Sequence, residues 1–365
     1  MDGAAERAVA AARGAGAEAL LLPGDLWDAE SVPPSSIHRL LDALASFAPK
    51  PVFIAPGNHD FAGAGGFYDP SVLAALGMRS WPSNVHVFRT PEWTALRVPG
   101  REDVPIVGRA YLSPAIVVDR PLLTPPARPA VAHAILMLHG SLETYAGPDG
   151  PTGPKRTAPF SRRELLNAGF SWAALGHHHL LHVVTDDDGM PRGAYAGCPT
   201  GRGLDETGPR HFLRITLREG ESTLAEPLPA DNRTIRDLAL DATDLDARGL
   251  LEAADSLLYR EGVGTADIVR LTLTGLQPYG ASPSGALEPL LSRVKHLVIR
   301  DRTAPPATGE TAALTTAEGR FTSDLLTRRD AAPDARSRRV LELALALGRD
   351  ALLGRPLHPP EPEEW

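Results

Sequence analysis

The sequence of 365 residues contains a single cysteine, Cys198, which excludes an internal disulfide framework and points to a reducing, cytoplasmic compartment. No apolar run is long enough to span a bilayer. The N-terminus lacks the basic, apolar and small-residue order of a signal peptide, so a soluble protein is expected. Basic residues are not in excess either. The formal charge of -8 gives no general pull toward nucleic acid, so any DNA contact has to come from local basic groups or bound metal ions. Lys155, Arg156, Arg162, Arg163 and Arg202 are the candidates, against the plainer reading that such charges form a solvated face. There is no internal repeat. The length admits a large first domain with one or two smaller ones behind it.

What the sequence does have is an alternation of amphipathic helix and buried strand. An alanine-rich helix runs through Gly14 and Gly16 into a strand at 19–22. Ser35 or Ser36 can cap a helix whose one face carries Ile37, Leu40, Leu41, Leu44 and Phe47, and PVFIAPG (51–57) reads as the next strand. Further apolar runs stand at 104–112, 134–141 and 172–176, the last preceded by Ser161 and Glu164 in capping-box spacing with Gly169 at the helix end. The pattern predicts an α/β sheet covered by helices. YAGCPTG and HFLRITL are expected as closing antiparallel strands, and EPLPADNRT (226–234) as a linker. A second α/β pattern follows, with helices over 250–258 and 286–294 and strands over 267–275 and 296–301. A linker at 303–310, a helix over 334–353 and a Pro/Glu tail complete the chain. The expected domains are therefore 1–225, 226–302 and 303–365.

Each buried strand of the first domain ends, on its C-terminal side, in polar residues: GDLWD, GNHD, HGS and GHHH. Open α/β sheets bind ligands at that edge. Asp25, Asn58, His139, His177 and His179 form a mixed oxygen and imidazole set, which suits Mn, Fe or Zn better than Mg or Ca. The three consecutive histidines admit two readings. If extended backbone continued past Gly176, His177 and His179 would share one side and His178 the other, giving two ligands and a passenger; alternatively the rings are core filler.

GDLWD (24–28), GNHD (57–60), HG (139–140) and GHHH (176–179), in that order, resemble the calcineurin-like metallophosphoesterases. The resemblance implies a two-sheet sandwich flanked by helices, here expected to lack its first strand, that binds two divalent metal ions of manganese type and hydrolyses phosphate esters. It implies Asp25 as the bridging ligand, Asn58, His139 and His177 as ligands of one ion, and His179 as a ligand of the other. It gives His59 the role of stabilising the transition state or protonating the leaving oxygen, and Asp28 that of orienting His59. Ala29 and Glu30 stand where protein Ser/Thr phosphatases carry Arg-Gly, and Asp28 where purple acid phosphatases carry Tyr. By contrast LHGSLE (138–143), 159–179 and CPTGRGLDETGPR (198–210) resemble bacterial DNA repair exonucleases of the SbcD and YhaO type.

That branch implies an exonuclease subunit of a double-strand-break processing complex, partnered by DNA and a coiled-coil ABC-type (SMC-like) ATPase, with room for a homodimer. It implies a smaller α/β capping domain and a C-terminal segment that binds the partner. Lys155, Arg156 and Arg202 are the candidate DNA contacts. The chain departs from the family in one respect: no Asp-x-His pair precedes Gly24. Either the start lies further upstream or the subunit is degenerate. The competing readings are a catalytically silent DNA-binding or scaffold subunit and a small-molecule phosphodiesterase.

Overall fold

The computed structural model describes residues 3–28, 32–114, 120–145, 157–231, 233–277, 283–303, 315–352, 354 and 357. The chain divides into two compact units, Met1–Thr234 and Ile235–Trp365.

The first unit opens with α1 (Ala4–Gly14), β1 (Leu20–Leu22), α2 (Pro34–Ser46), β2 (Val52–Ile54), α3 (Pro70–Ala75) and β3 (Val85–Val87). The strands β1, β2 and β3 form a parallel sheet in that order. Then come β4 (Thr94–Val98), β5 (Arg101–Gly108), β6 (Ile135–His139), α4 (Arg162–Asn167), β7 (Trp172–Gly176), β8 (His182–Thr185) and β9 (Pro191–Tyr195). These strands build a mixed sheet in the order β4-β5-β6-β7-β9-β8, in which β5, β6, β7 and β9 run parallel. A hairpin of β10 (His211–Thr216) and β11 (Leu224–Pro229) closes the unit.

Alternation along each strand decides where its side chains go. Phe53 faces inward with Phe88, Ile106, Met137 and Trp172 to make the layer between the two sheets. Val52 and Ile54 point the other way, onto Ile37, Leu40, Leu41, Leu44 and Phe47, the apolar face read from the sequence of α2. Leu136 and Leu138 join Phe160, Leu165 and Tyr195 on the outer face of the larger sheet. Sheet, sheet and helix are thus stacked as a helix-flanked sandwich, as expected.

Local detail departs from the sequence reading in places. Neither Ser35 nor Ser36 caps α2; the helix starts at Pro34, whose fixed φ suits a first turn. Residues 226–234 are not a simple linker, since β11 occupies them through Pro229 and the division between units falls after Thr234. The glycine-rich 61–69 stretch, to which the sequence assigns no structure, is packed: Ala62 N–H donates to Tyr111 O at 2.7 Å, and Tyr68 is fully buried. The capping box Ser161–Glu164 is formed as expected, and Gly169 ends the turn with φ 73°.

The second unit holds β12 (Ile235–Asp241), α5 (Ala247–Arg260), β13 (Ile268–Thr274), a short α6 (Pro283–Ala286), β14 (His296–Asp301), α7 (Ala317–Asp330) and α8 (Ala335–Leu352). Its three strands form a parallel sheet with β13 in the centre. Val269, Leu271 and Leu273 of β13 pack with Leu250, Leu257 and Leu258 of α5. The helix expected over 286–294 is not continuous: Pro289 confines it to a 3-10 turn at Glu288–Ser292. Helix α7, whose sequence AEGRFTSDLLTRRD lacks an apolar stripe, was not legible; Gly348 lets α8 close onto its Phe321 ring. No described helix is long and apolar enough to cross a membrane.

Candidate metal centre

The sheets deliver the site. His139 is the last residue of β6, and in the parallel ladder it lies opposite Gly176, the last residue of β7, so His177 emerges beside it. Two residues here hold positive φ without being glycine, Asp25 at 56° and His177 at 112°. Each such conformation costs on the order of 1–3 kcal/mol and persists where the surroundings over-determine it. Burial of one large apolar side chain such as Phe53 or Met137, worth about 1.5–3 kcal/mol, offsets one of them. Close approach explains two glycines: a Cβ on Gly57 would strike the Asp25 carboxylate and lie 2.7 Å from His139 Cε1, and one on Gly176 would strike the Pro23 carbonyl.

Asp25, His139 and His177 present ligand atoms that all lie within 4.8 Å of one another, which no other group of His, Cys, Asp or Glu does among the described residues. His139 Nδ1 is 2.9 Å from Pro23 O, an oxygen that can only accept, so Nδ1 carries the proton. Nε2 therefore faces Asp25 Oδ2 at 3.2 Å and Asn58 Oδ1 at 3.2 Å. Two oxygen acceptors converging on Nε2 call for a positive charge there: in the metal-free protein a second ring proton, since burial opposes it but the Asp25 charge and hydrogen bond outweigh burial and raise the His139 pKa, or a cation in that proton's place, for which the backbone carbonyl behind the ring is the usual support. Electrostatics agree. Burial opposes ionisation of Asp25, but the His139 charge and hydrogen bond outweigh it and hold the carboxyl down at about 2. Burial, then the neighbouring His139 charge, push His177 down to about 4, keeping its ring neutral as a ligand must be. The donors present fit one divalent cation.

Asp60, the last letter of GNHD, was given no role by sequence reasoning, yet it ties the site together. Its fully buried carboxylate accepts from Asp25 N–H at 2.9 Å, Leu26 N–H at 3.1 Å, Gly57 N–H at 2.7 Å and Tyr68 O–H at 2.8 Å. Burial, and then the Asp25 charge, raise its pKa against the pull of those donors. The signal was available: a buried strand end followed by Asp needs several N–H donors, and the two Gly-containing loops are where free ones are found.

The remaining sequence candidates fall in three places. His59 and Asp28 lie together at the exposed rim, with Nδ1 3.9 Å from Oδ2, and His59 N–H donates to Asp25 Oδ1 at 3.0 Å. His178 turns into the core, stacked on Tyr145 at 3.7 Å, with both ring nitrogens buried and without a hydrogen-bond partner among the described residues. His179 stands apart from the triad: its Nδ1 is 2.8 Å from Glu206 Oε1 and 3.1 Å from Arg202 Nη2. The chain leaves β geometry at His177, so the separation of His177 from His178 comes from a bend and not from strand alternation. Arg162 is engaged with Thr185 O and Asp187 on the surface. Lys155 and Arg156 lie outside the described residues.

Glu206 was also missed. Arg202 N–H donates to its Oε2 at 2.8 Å, and Arg210, buried, donates to His179 O at 3.0 Å and to Glu206 O, so the 198–210 loop is folded around His179. Burial opposes ionisation of Glu206, but Arg202 outweighs it and holds the carboxyl at about 2. Burial pushes the Cys198 thiol up to about 11, which leaves it unreactive at neutral pH.

Residues 3–181 match the family model described as calcineurin-like phosphoesterase. A Bacillus subtilis (strain 168) protein described as an uncharacterized metallophosphoesterase, YhaO, is 27% identical over 289 residues, which cover 76% of this chain. The match spans 65% of that relative's length. The family uses divalent metals, and the matched residues carry the Asp25, His139 and His177 cluster together with Asn58. Residues 3–181, just under half of the chain, are thus similar to the calcineurin-like phosphoesterases.

Proposed function

We propose that the chain is a manganese-dependent phosphodiesterase that acts on DNA, the nuclease subunit of a cytoplasmic end-processing complex. The observation that carries the reading is the convergence of Asp25, Asn58, His139 and His177 beside the His59–Asp28 pair. A divalent cation held by those four side chains supplies charge neutralisation and a water of lowered pKa. The protein does the rest. His139 is fixed by Pro23 and Asp60 fixes both ligand loops, so the donors are placed before substrate arrives. His59, its backbone pinned to Asp25 and its Nδ1 side facing Asp28, donates the proton that the leaving oxygen takes as the P–O bond breaks.

DNA as substrate is supported by the likeness of 138–143, 159–179 and 198–210 to bacterial repair exonucleases. The second unit suits a capping and DNA-binding role, since β13 carries Arg270, Thr272 and Thr274 on the face away from its core. An ATPase coiled coil is the proposed partner of α8, on which Val340 and Leu352 are exposed. On the same helix Leu345 is buried, and Arg349 is buried with Glu318 at 3.1 Å, so both belong to the packing of this unit. Deleting residues 330–365 is expected to abolish ATPase binding and spare metal binding.

One observation favours a second reading, a catalytically silent subunit: His179 has Glu206 and Arg202 for company where a second ion would need further ligands. The test is manganese-dependent release of nucleotides from a labelled linear duplex, set beside hydrolysis of bis(p-nitrophenyl) phosphate and of cyclic nucleotides. Cleavage of DNA is expected. Hydrolysis of the small esters without DNA cleavage overturns the nuclease reading, and no hydrolysis of any substrate favours the silent subunit.

A further inference from the structure

The second ion that the family resemblance implies does not fit the residues around His179. Both ring nitrogens of His179 lie against one guanidinium nitrogen, Arg202 Nη2, at 3.1 Å from Nδ1 and 3.4 Å from Nε2. A metal ion within bonding distance of that ring would sit a few ångströms from a permanent positive charge, an unfavourable contact of about 1–4 kcal/mol or more at the dielectrics of a protein surface. His179 also belongs to no cluster of three convergent donors among the described residues.

We propose that Arg202 is the second cationic centre of this site: its guanidinium, anchored on Glu206 beside His179, binds the phosphoryl oxygens of the substrate. The proposal rests on the phosphoesterase reading and deepens it. Its geometry is that of a prepared anion clamp. The anchor is buried and the cation is not, with Glu206 side-chain exposure at 11% and that of Arg202 at 64%. Glu206 Oε1 accepts from Arg202 Nη2 at 3.1 Å and from Nε at 3.4 Å, which leaves Nη1 without a partner among the described residues. The planar fork therefore keeps free donors of the kind that pair with phosphate oxygens. Glu206 is itself held by Arg202 N–H, and its loop by Arg210, so the clamp forms without substrate. Burial opposes the Arg202 charge, but Glu206, and more remotely Asp25, secure it. His179 follows His177 by two residues, which sets the guanidinium beside it close to the triad. The site would thus pair one metal ion with one fixed organic cation.

Two measurements on the full chain test this: manganese ions bound per chain after loading and desalting, by mass spectrometry, and calorimetric affinity of the loaded protein for inorganic phosphate. Wild type and Arg202→Ala are both expected to hold one ion. Phosphate affinity is expected to fall by about 10–100-fold in Arg202→Ala, the loss of a charge-assisted contact, with partial recovery in Arg202→Lys. A second ion in the wild type that His179→Ala removes would overturn the proposal, and so would phosphate affinity unchanged within twofold in Arg202→Ala. If the loaded wild type neither binds phosphate nor hydrolyses bis(p-nitrophenyl) phosphate, the phosphoesterase reading falls, and the proposal with it.

Discussion

The two sides of the candidate site are built on opposite electrostatic plans. Around His139, Asp25 Oδ2, Asn58 Oδ1 and the ring of His177 converge with no arginine or lysine among them in the described residues. Around His179, the protein supplies its own cation, Arg202, and neutralises it with Glu206. The first arrangement can exchange the proton of His139 for a divalent cation, whereas the second has a permanent cation in place. Two histidines separated by one residue thus do different work, and the difference is set by what the rest of the fold places beside each.

The sharpest way to break the comparison is to remove one histidine from each side. His139→Ala is expected to lower manganese affinity by at least about 100-fold, as loss of a ligand or its support does. His179→Ala is expected to leave it within threefold, and calorimetric titration of both variants reads the contrast. Equal losses would mean that both histidines ligate. Next in size, His59→Ala is expected to reduce hydrolysis by about 10²–10⁴-fold, the range of general acid catalysis, with manganese affinity unchanged. Retained turnover at saturating manganese would remove His59 from the mechanism.

Asp60 sharpens the comparison from beneath, since it braces only the triad side. Asp60→Asn replaces an acceptor with a donor against four donors, and is expected to cost about 2–4 kcal/mol in urea denaturation and to weaken manganese binding. A variant as stable as wild type would show that the two loops are held by something else.

The smallest effect concerns His178, which serves neither side. Burial, and then the His177 charge, push its pKa from 6.5 down to about 3. Between those values the unfolded chain binds the proton more readily than the folded one, so stability is lost as pH falls from 6.5 toward 3. His178→Phe is expected to shallow that slope and to add about 1–2 kcal/mol at neutral pH, because two buried ring nitrogens without partners among the described residues disappear. An unchanged pH profile in denaturation would contradict this burial account.

Periodicity made the sandwich legible. The face Ile37, Leu40, Leu41, Leu44 and Phe47 and the strands at 52–54, 135–139 and 172–176 follow from apolar spacing alone, and so does the placement of polar residues at their C-terminal ends. Asp60 and Glu206 were hidden because their roles depend on donors that only the fold brings near: Gly57 and Tyr68 for one, His179 for the other. Helix α7 was hidden for a related reason, since a helix with three buried positions carries too little apolar signal to show in the sequence. The 286–294 segment misled in the opposite sense, as its apolar spacing was helical but Pro289 interrupts it.

The central claim is that Asp25, Asn58, His139 and His177 hold one divalent cation and that the Arg202 side holds none. Anomalous diffraction at the manganese edge from crystals grown with manganese tests it directly. The account predicts a single strong peak enclosed by those four side chains and no peak at His179. A peak bonded to His179, or none between Asp25 and His139, would contradict it.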